Sequence, residues 1–176
     1  MSFNHPKAGP NLVPAYQMSG IPFVTSSLAT EVPCPDGNSV SKPVQVSFPH
    51  VTKFITVRNI GRNDLRVGFS ADGVVAPGER RALSDVDKVA TNLPEGSYGG
   101  RNYFLIPTGS VLESNGGSTQ TFEVRCKSIF FLSDAGKQNS PGVPQSTGFS
   151  LLAGLTTIES SQFPVLTGSN GFTGVG

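Results

Sequence analysis

The chain has no tryptophan, two histidines and two cysteines among its 176 residues, and only 14% of it is charged. Each shortage removes a class of function. Sugar-binding surfaces favour aromatic rings with a polar tip, whereas this chain carries twelve Phe against three Tyr, and phenylalanine belongs in cores and interfaces. His5 lies near the N-terminus and His50 follows Pro49 between two strand-like segments. Neither has a second histidine at ligand spacing, so a histidine-built metal or catalytic centre would need convergence from distant segments. Cys34, in Val32-Pro-Cys-Pro-Asp-Gly37, and Cys126 form neither a zinc spacing nor a redox motif. Two free thiols in a reducing compartment are expected, with a Cys34–Cys126 bridge as the alternative. Asp85 and Asp87 are the one close carboxylate pair and read as helix-start residues. There is no G-x-S-x-G and no calcium-loop spacing. No catalytic, cofactor-binding or metal-ligating residue is therefore assigned, no cofactor is expected, and the chain is not expected to be an enzyme.

Charge excludes further partners. Thirteen Lys/Arg against twelve Asp/Glu give a net charge of +1, with no electrostatic footprint for specific nucleic-acid binding. Arg58, Arg62 and Arg66, and the pair Arg80-Arg81, read as solvated strand and loop positions. No stretch reaches the ~20 apolar residues of a membrane span. The N-terminal sequence lacks an apolar run of signal-peptide length, and no asparagine begins a glycosylation sequon. Synthesis in a cytosol is expected. The 14% charge lies below the ~25% typical of soluble domains. Either partner subunits cover part of the surface, or the surface is a neutral Ser/Thr/Asn one.

What is present is strand alternation. Val51 to Ser70 reads as two strands around Asn59-Ile-Gly-Arg-Asn-Asp64, a cluster of turn-tolerant residues, and so as a hairpin with Arg62 at its tip. Ile55 and Val57 alternate with Thr56 and Arg58, and Leu65, Val67 and Phe69 with Arg66, Gly68 and Ser70. Further strands are read over 21–29, 43–48, 102–106, 120–133 and 149–158, with a weak one over 80–83. The 102–106 segment, NYFLI, is apolar nearly throughout, the pattern of a strand covered on both faces. In 120–133 the parity slips at Ser128, which marks either a bulge near Lys127-Ser128 or a strand passing from one packing partner to another. The one helical pattern, 85–92, stops against Leu93-Pro94.

Residues 1–17 read as an N-terminal arm, 18–160 as the domain and 161–176 as a Gly-rich C-terminal arm. Segments of about eight antiparallel strands, long connections and no helices between strands point to an all-β, single jelly-roll β-sandwich. Tyr98 and Tyr103 flank Gly99-Gly100 and are the candidates for lining a ligand groove, though two partly buried tyrosines is the plainer expectation.

The ITVRN…DLRVGFS pair, the NYFLIP strand, the TFEVRCKSIFFLS segment, and FSLLAGLT with the tail LTGSNGFTGVG resemble small single jelly-roll capsid proteins. In particular they resemble the vertex (penton) proteins of large icosahedral double-stranded DNA viruses. The resemblance spans roughly residues 44–160 as strand order, plus the arms. It implies a structural virion protein, assembled in the host cytoplasm or nucleus, that forms a homopentamer and contacts neighbouring capsid proteins. Phe3, Tyr16, Phe163 and Phe172 would then anchor the arms in pockets of other subunits, and Arg62 would lie near the fivefold opening or the particle interior. The alternative is a β-sandwich glycan- or receptor-binding module, a capsid decoration protein included.

Overall fold

The computed structural model describes residues 21–32, 43–61, 63–71, 73–74, 102–108, 117–134 and 147–163. They form eight strands: β1 (Ile21–Val32), β2 (Val44–Ser47), β3 (His50–Asn59), β4 (Leu65–Gly68), β5 (Tyr103–Ile106), β6 (Thr119–Phe122), β7 (Ser128–Ser133) and β8 (Thr147–Glu159). A short 3-10 turn, Ser160–Gln162, follows and is the one helical element among the described residues. The strands build two four-stranded sheets, ordered β1-β8-β3-β6 and β2-β7-β4-β5, with every pairing antiparallel. The protein is an all-β sandwich, as its alternation implies.

Period-two patterning sets the core. Phe149, Leu151, Ala153 and Leu155 of β8 share a face with Ile55 and Val57 of β3, while Leu65 and Val67 of β4 and Ile129 and Phe131 of β7 face them from the second sheet. The sheets are stapled by Phe131 stacked on Phe149, with ring centroids 4.0 Å apart and planes 17° from parallel. Phe23 meets Phe48 edge-on at 5.3 Å.

The wiring is nested. β1 pairs with β8, β2 with β7, β3 with β6 and β4 with β5. The first half of the strands thus runs back along the second half in reverse order, as one antiparallel ribbon bent between β4 and β5. The ribbon stays hydrogen-bonded where it passes between sheets. In the β2–β3 and β6–β7 crossings, Phe48 N–H donates to Lys127 O at 2.8 Å and Thr52 N–H to Cys126 O at 3.1 Å. Buried Thr52 adds its hydroxyl, 2.8 Å from Val124 O and 3.1 Å from Cys126 N–H, and the β3–β8 register shifts on either side of it.

Four expectations are corrected. β3 and β4 are strands but not a hairpin: both edges of β3 are taken, by β8 and β6, so β4 lies in the other sheet. Residues 120–133 are two strands in different sheets, and the parity slip at Ser128 is the change of sheet. β5 is not covered on both faces, since Phe104 and Leu105 are exposed, and it is an edge strand among the described residues. Arg66 is buried rather than solvated. The strand expected over 80–83, the helical pattern over 85–92 and the arm residues 1–17 and 164–176 lie outside the described residues.

Candidate assembly surface

The connection that carries Arg62 is fixed by a polar clasp at one end of the sandwich. Asn59, fully buried at the end of β3, uses both donors and its acceptor oxygen there. Its Nδ2 donates to Asn63 O at 2.8 Å and to Ile106 O at 3.1 Å, and its Oδ1 accepts from Gly61 N–H at 2.9 Å. Thr147 Oγ1, at the start of β8, lies 3.1 Å from Asn59 Oδ1 and 3.0 Å from Asn63 O and donates to one of the two. One side chain thereby ties the ends of β3 and β8 in the first sheet to β5 and the approach to β4 in the second. The packing leaves no room for a side chain at Gly117, where a Cβ would collide with Asn59 O. Arg62 itself lies outside the described residues, between Gly61 and Asn63.

A second cluster covers the outer face of the second sheet. Arg66 Nη2 and Nε reach Asp134 Oδ1 at 2.5 and 3.2 Å, Nη1 lies 3.4 Å from Val74 O, and the guanidinium sits 4.9 Å from the centroid of the Tyr103 ring. Val74 and Leu132 are fully buried beside it, with Tyr103 and Phe130 packed against them. The chain following β4 therefore folds back over its own sheet, held in part by Gly73 N–H donating to Ser70 Oγ at 2.9 Å. A face of the Tyr103 ring is occupied by the arginine, so the ring does not lie open as a sugar platform. Tyr98 lies outside the described residues.

Large apolar side chains exposed among the described residues fall mainly at two places. Ile21, Val24 and Leu152 lie on β1 and its neighbour β8, with Val24 71% exposed. Phe104 and Leu105 lie on β5, 57% and 46% exposed. Phe104 is not isolated: its ring tilts against Phe122 of β6 at 5.2 Å, and Phe122 meets Phe69 edge-on at 6.5 Å. β1 and β5 stand at opposite ends of the strand orders of the two sheets. Of the residues assigned to assembly from sequence, Phe163 is described. It is partly buried just after the 3-10 turn, its N–H donating to Ser160 O at 3.2 Å. Phe3, Tyr16 and Phe172 lie outside the described residues. Sequence reading missed Phe104 and Leu105. The signal was there, since nothing polar interrupts Tyr103–Ile106, but an unbroken apolar run reads equally as a doubly covered strand.

The titratable inventory is sparse. Cys126 is buried and unbridged, and burial pushes its thiol up to about 11 despite the opposing hydrogen bonds from Thr52 and from the backbone at Ser128. That makes it an unreactive thiol at neutral pH. Cys34 lies outside the described residues. His50 starts β3 opposite Glu159, with its Nδ1 buried and unpartnered. Among the described residues no three His, Cys, Asp or Glu side chains gather to hold a metal ion, and no helix is long and apolar enough to cross a membrane. Comparison with family models, curated proteins and solved structures finds no match to this chain.

Proposed function

We propose that this chain is a structural virion protein: a capsid vertex (penton) subunit that assembles with copies of itself into a homopentamer and contacts neighbouring capsid proteins. The observation that carries the reading is the nested pairing of eight strands into two antiparallel sheets. An eight-strand ribbon rolled into two facing sheets is the wiring of a jelly roll, an architecture common among viral capsid domains. Two further features support a packed rather than a solitary life. Charge is scarce, and apolar side chains are exposed at two opposite edges, β1 and β5. A ring is closed by heterologous contacts, in which one surface of each subunit meets a different surface of the next. Two separate apolar edges suit that requirement better than a single self-complementary patch.

Electron microscopy and native mass spectrometry of the isolated full chain test the reading. A ring of five is the expected result. A protein that stays monomeric at high concentration and is absent from virus particles would overturn it.

A further inference from the structure

We propose that Ser70, Gly73 and Val74, which follow β4, form a strap that lifts from the outer face of the second sheet while the sandwich beneath it stays folded. The strap has its own seat, its own small apolar cluster and no share in the strand pairing.

The seat is Gly68. Alternation along β4 sends Leu65 and Val67 to the main core and Arg66 and Gly68 to the outer face. Register sets Gly68 between Tyr103 of β5 and Phe130 of β7, and sets Arg66 beside Leu132. A residue with no side chain between two rings leaves a hollow, and Val74 fills it. A Cβ at Gly68 would stand 2.5 Å from Val74 Cγ1 and 3.6 Å from Val74 N, so any larger residue there displaces the strap. Glycine inside a strand marks a place where another backbone approaches closely, and here that backbone is the strap.

What holds the strap is separable from what holds the sandwich. Val74 and Leu132, with Tyr103 and Phe130 against them, form a cluster apart from the main core. Both edges of β4 are taken, by β5 and β7, so departure of the strap breaks no pairing among the described strands. Gly73 N–H donates within the strap, to Ser70 Oγ at 2.9 Å. Across to the sheet, Arg66 Nη1 reaches Val74 O at 3.4 Å, a long contact. Arg66 keeps Asp134 and the Tyr103 ring when the strap leaves, so lifting strands no charge. A segment with few buried contacts and no ladder bonds opens at a free energy below the global one. Once lifted, it lays bare an apolar recess floored by Gly68 and walled by Tyr103, Phe130 and Leu132, beside the Arg66 guanidinium.

The test is hydrogen exchange by NMR on the full chain at low concentration, over denaturant levels below the unfolding transition. The buried Gly73 amide reports the strap, and the amides of 151–155 in β8 report the sandwich. Expected in the wild type is exchange at Gly73, corrected for intrinsic rates, about a hundredfold or more faster than at 151–155 and insensitive to denaturant. Gly68→Ala should speed Gly73 a further tenfold or so, as overpacking of the seat, and leave 151–155 unchanged. Val74→Ala should also speed it. The double variant should speed it by less than the product of the two, because the new methyl occupies space that Val74 has vacated. Melting temperatures check that each variant is folded. A Gly73 amide that has no protection, or that matches 151–155 in rate and denaturant slope, overturns the inference. So does a Gly68→Ala protein in which Gly73 is unchanged, or in which Gly73 and 151–155 lose protection equally.

Discussion

Removing the counter-charge of Arg66 should cost far more than removing Arg66. The side chain of Arg66 is 4% exposed and that of Asp134 is 23% exposed. Two guanidinium nitrogens converge on one oxygen of Asp134, a third faces Val74 O, and the plane lies over Tyr103. Breaking a fully buried pair from one side costs roughly 3–5 kcal/mol, because an uncompensated charge stays behind. Water reaches Asp134 and the other contacts of Arg66 survive its loss, so Asp134→Ala is expected to fall at or below the floor of that range, about 2–3 kcal/mol. Arg66→Met keeps the stem packed against Val74, Leu132 and Tyr103 and leaves behind only a carboxylate that water can reach, at a cost of about 0–1 kcal/mol. In the double variant the penalty of Asp134→Ala should largely vanish, since no buried cation remains. Guanidinium unfolding at fixed protein concentration reads all four proteins, with the midpoint taken at constant slope. If Asp134→Ala costs less than about 0.5 kcal/mol, or if the two single variants lose equal stability, Arg66 is hydrated in solution and the outer-face cluster does not hold it.

Two further outcomes follow from buried polar groups. Asn59→Ala should destabilise the fold by about 2–4 kcal/mol, because Asn63 O, Ile106 O and Gly61 N–H lose a partner together; Asn59→Asp should be no better, since a carboxylate cannot donate to the two carbonyls, and both are read by denaturant midpoint. Cys126 sets an alkaline limit: its folded-state pKa is raised from 9.0 to about 11, so its contribution is fully present below pH 9 and is lost as pH rises through 11. The loss is at most about 2.7 kcal/mol. A Cys126→Ala protein should lack that part of the alkaline decline in a pH series of melting curves, and the native thiol should resist alkylation at pH 8.

Local patterning placed most of the strands, because burial on one face of a sheet imposes period two on any sequence. It did not reveal partnership. Asn59 to Asp64 has the composition of a hairpin turn, yet that composition specifies only a reversal within a few residues. Whether the returning strand lies beside β3 or across from it depends on β6 and β8, whose residues paired with β3 lie 61 (Arg58↔Thr119) to 109 (His50↔Glu159) positions away. The Ser128 slip was the one local trace of sheet change, since a strand that leaves one sheet for the other must exchange its inward parity. Arg66 looked solvated for a similar reason. Alternation assigned it to the outer face, and an outer face is wet only if nothing returns to cover it; Val74 does.

The same limit explains why β5 matters more than its length suggests. Val44, Phe131, Val67 and Phe104 form one cross-strand row over the whole second sheet, and sequence alone treats the two phenylalanines alike. Phe131 is fully buried and stacked on Phe149, so Phe131→Ala combines lost transfer energy with a cavity between the sheets, about 3–5 kcal/mol. Phe104 retains more than half its exposure, so Phe104→Ala in the isolated subunit should cost only about 1 kcal/mol, mostly its contact with Phe122. If β5 lies in a contact between subunits, the ranking changes in the assembly. Phe131→Ala should weaken the subunit while leaving the dissociation constant of properly folded copies within a few fold, whereas Phe104→Ala should raise that constant by about tenfold or more for a lost interface anchor. Thermal melts at low concentration and sedimentation across a concentration series separate the two. Equal effects of Phe104→Ala on stability and on association would place its role inside the fold and leave β5 an ordinary edge.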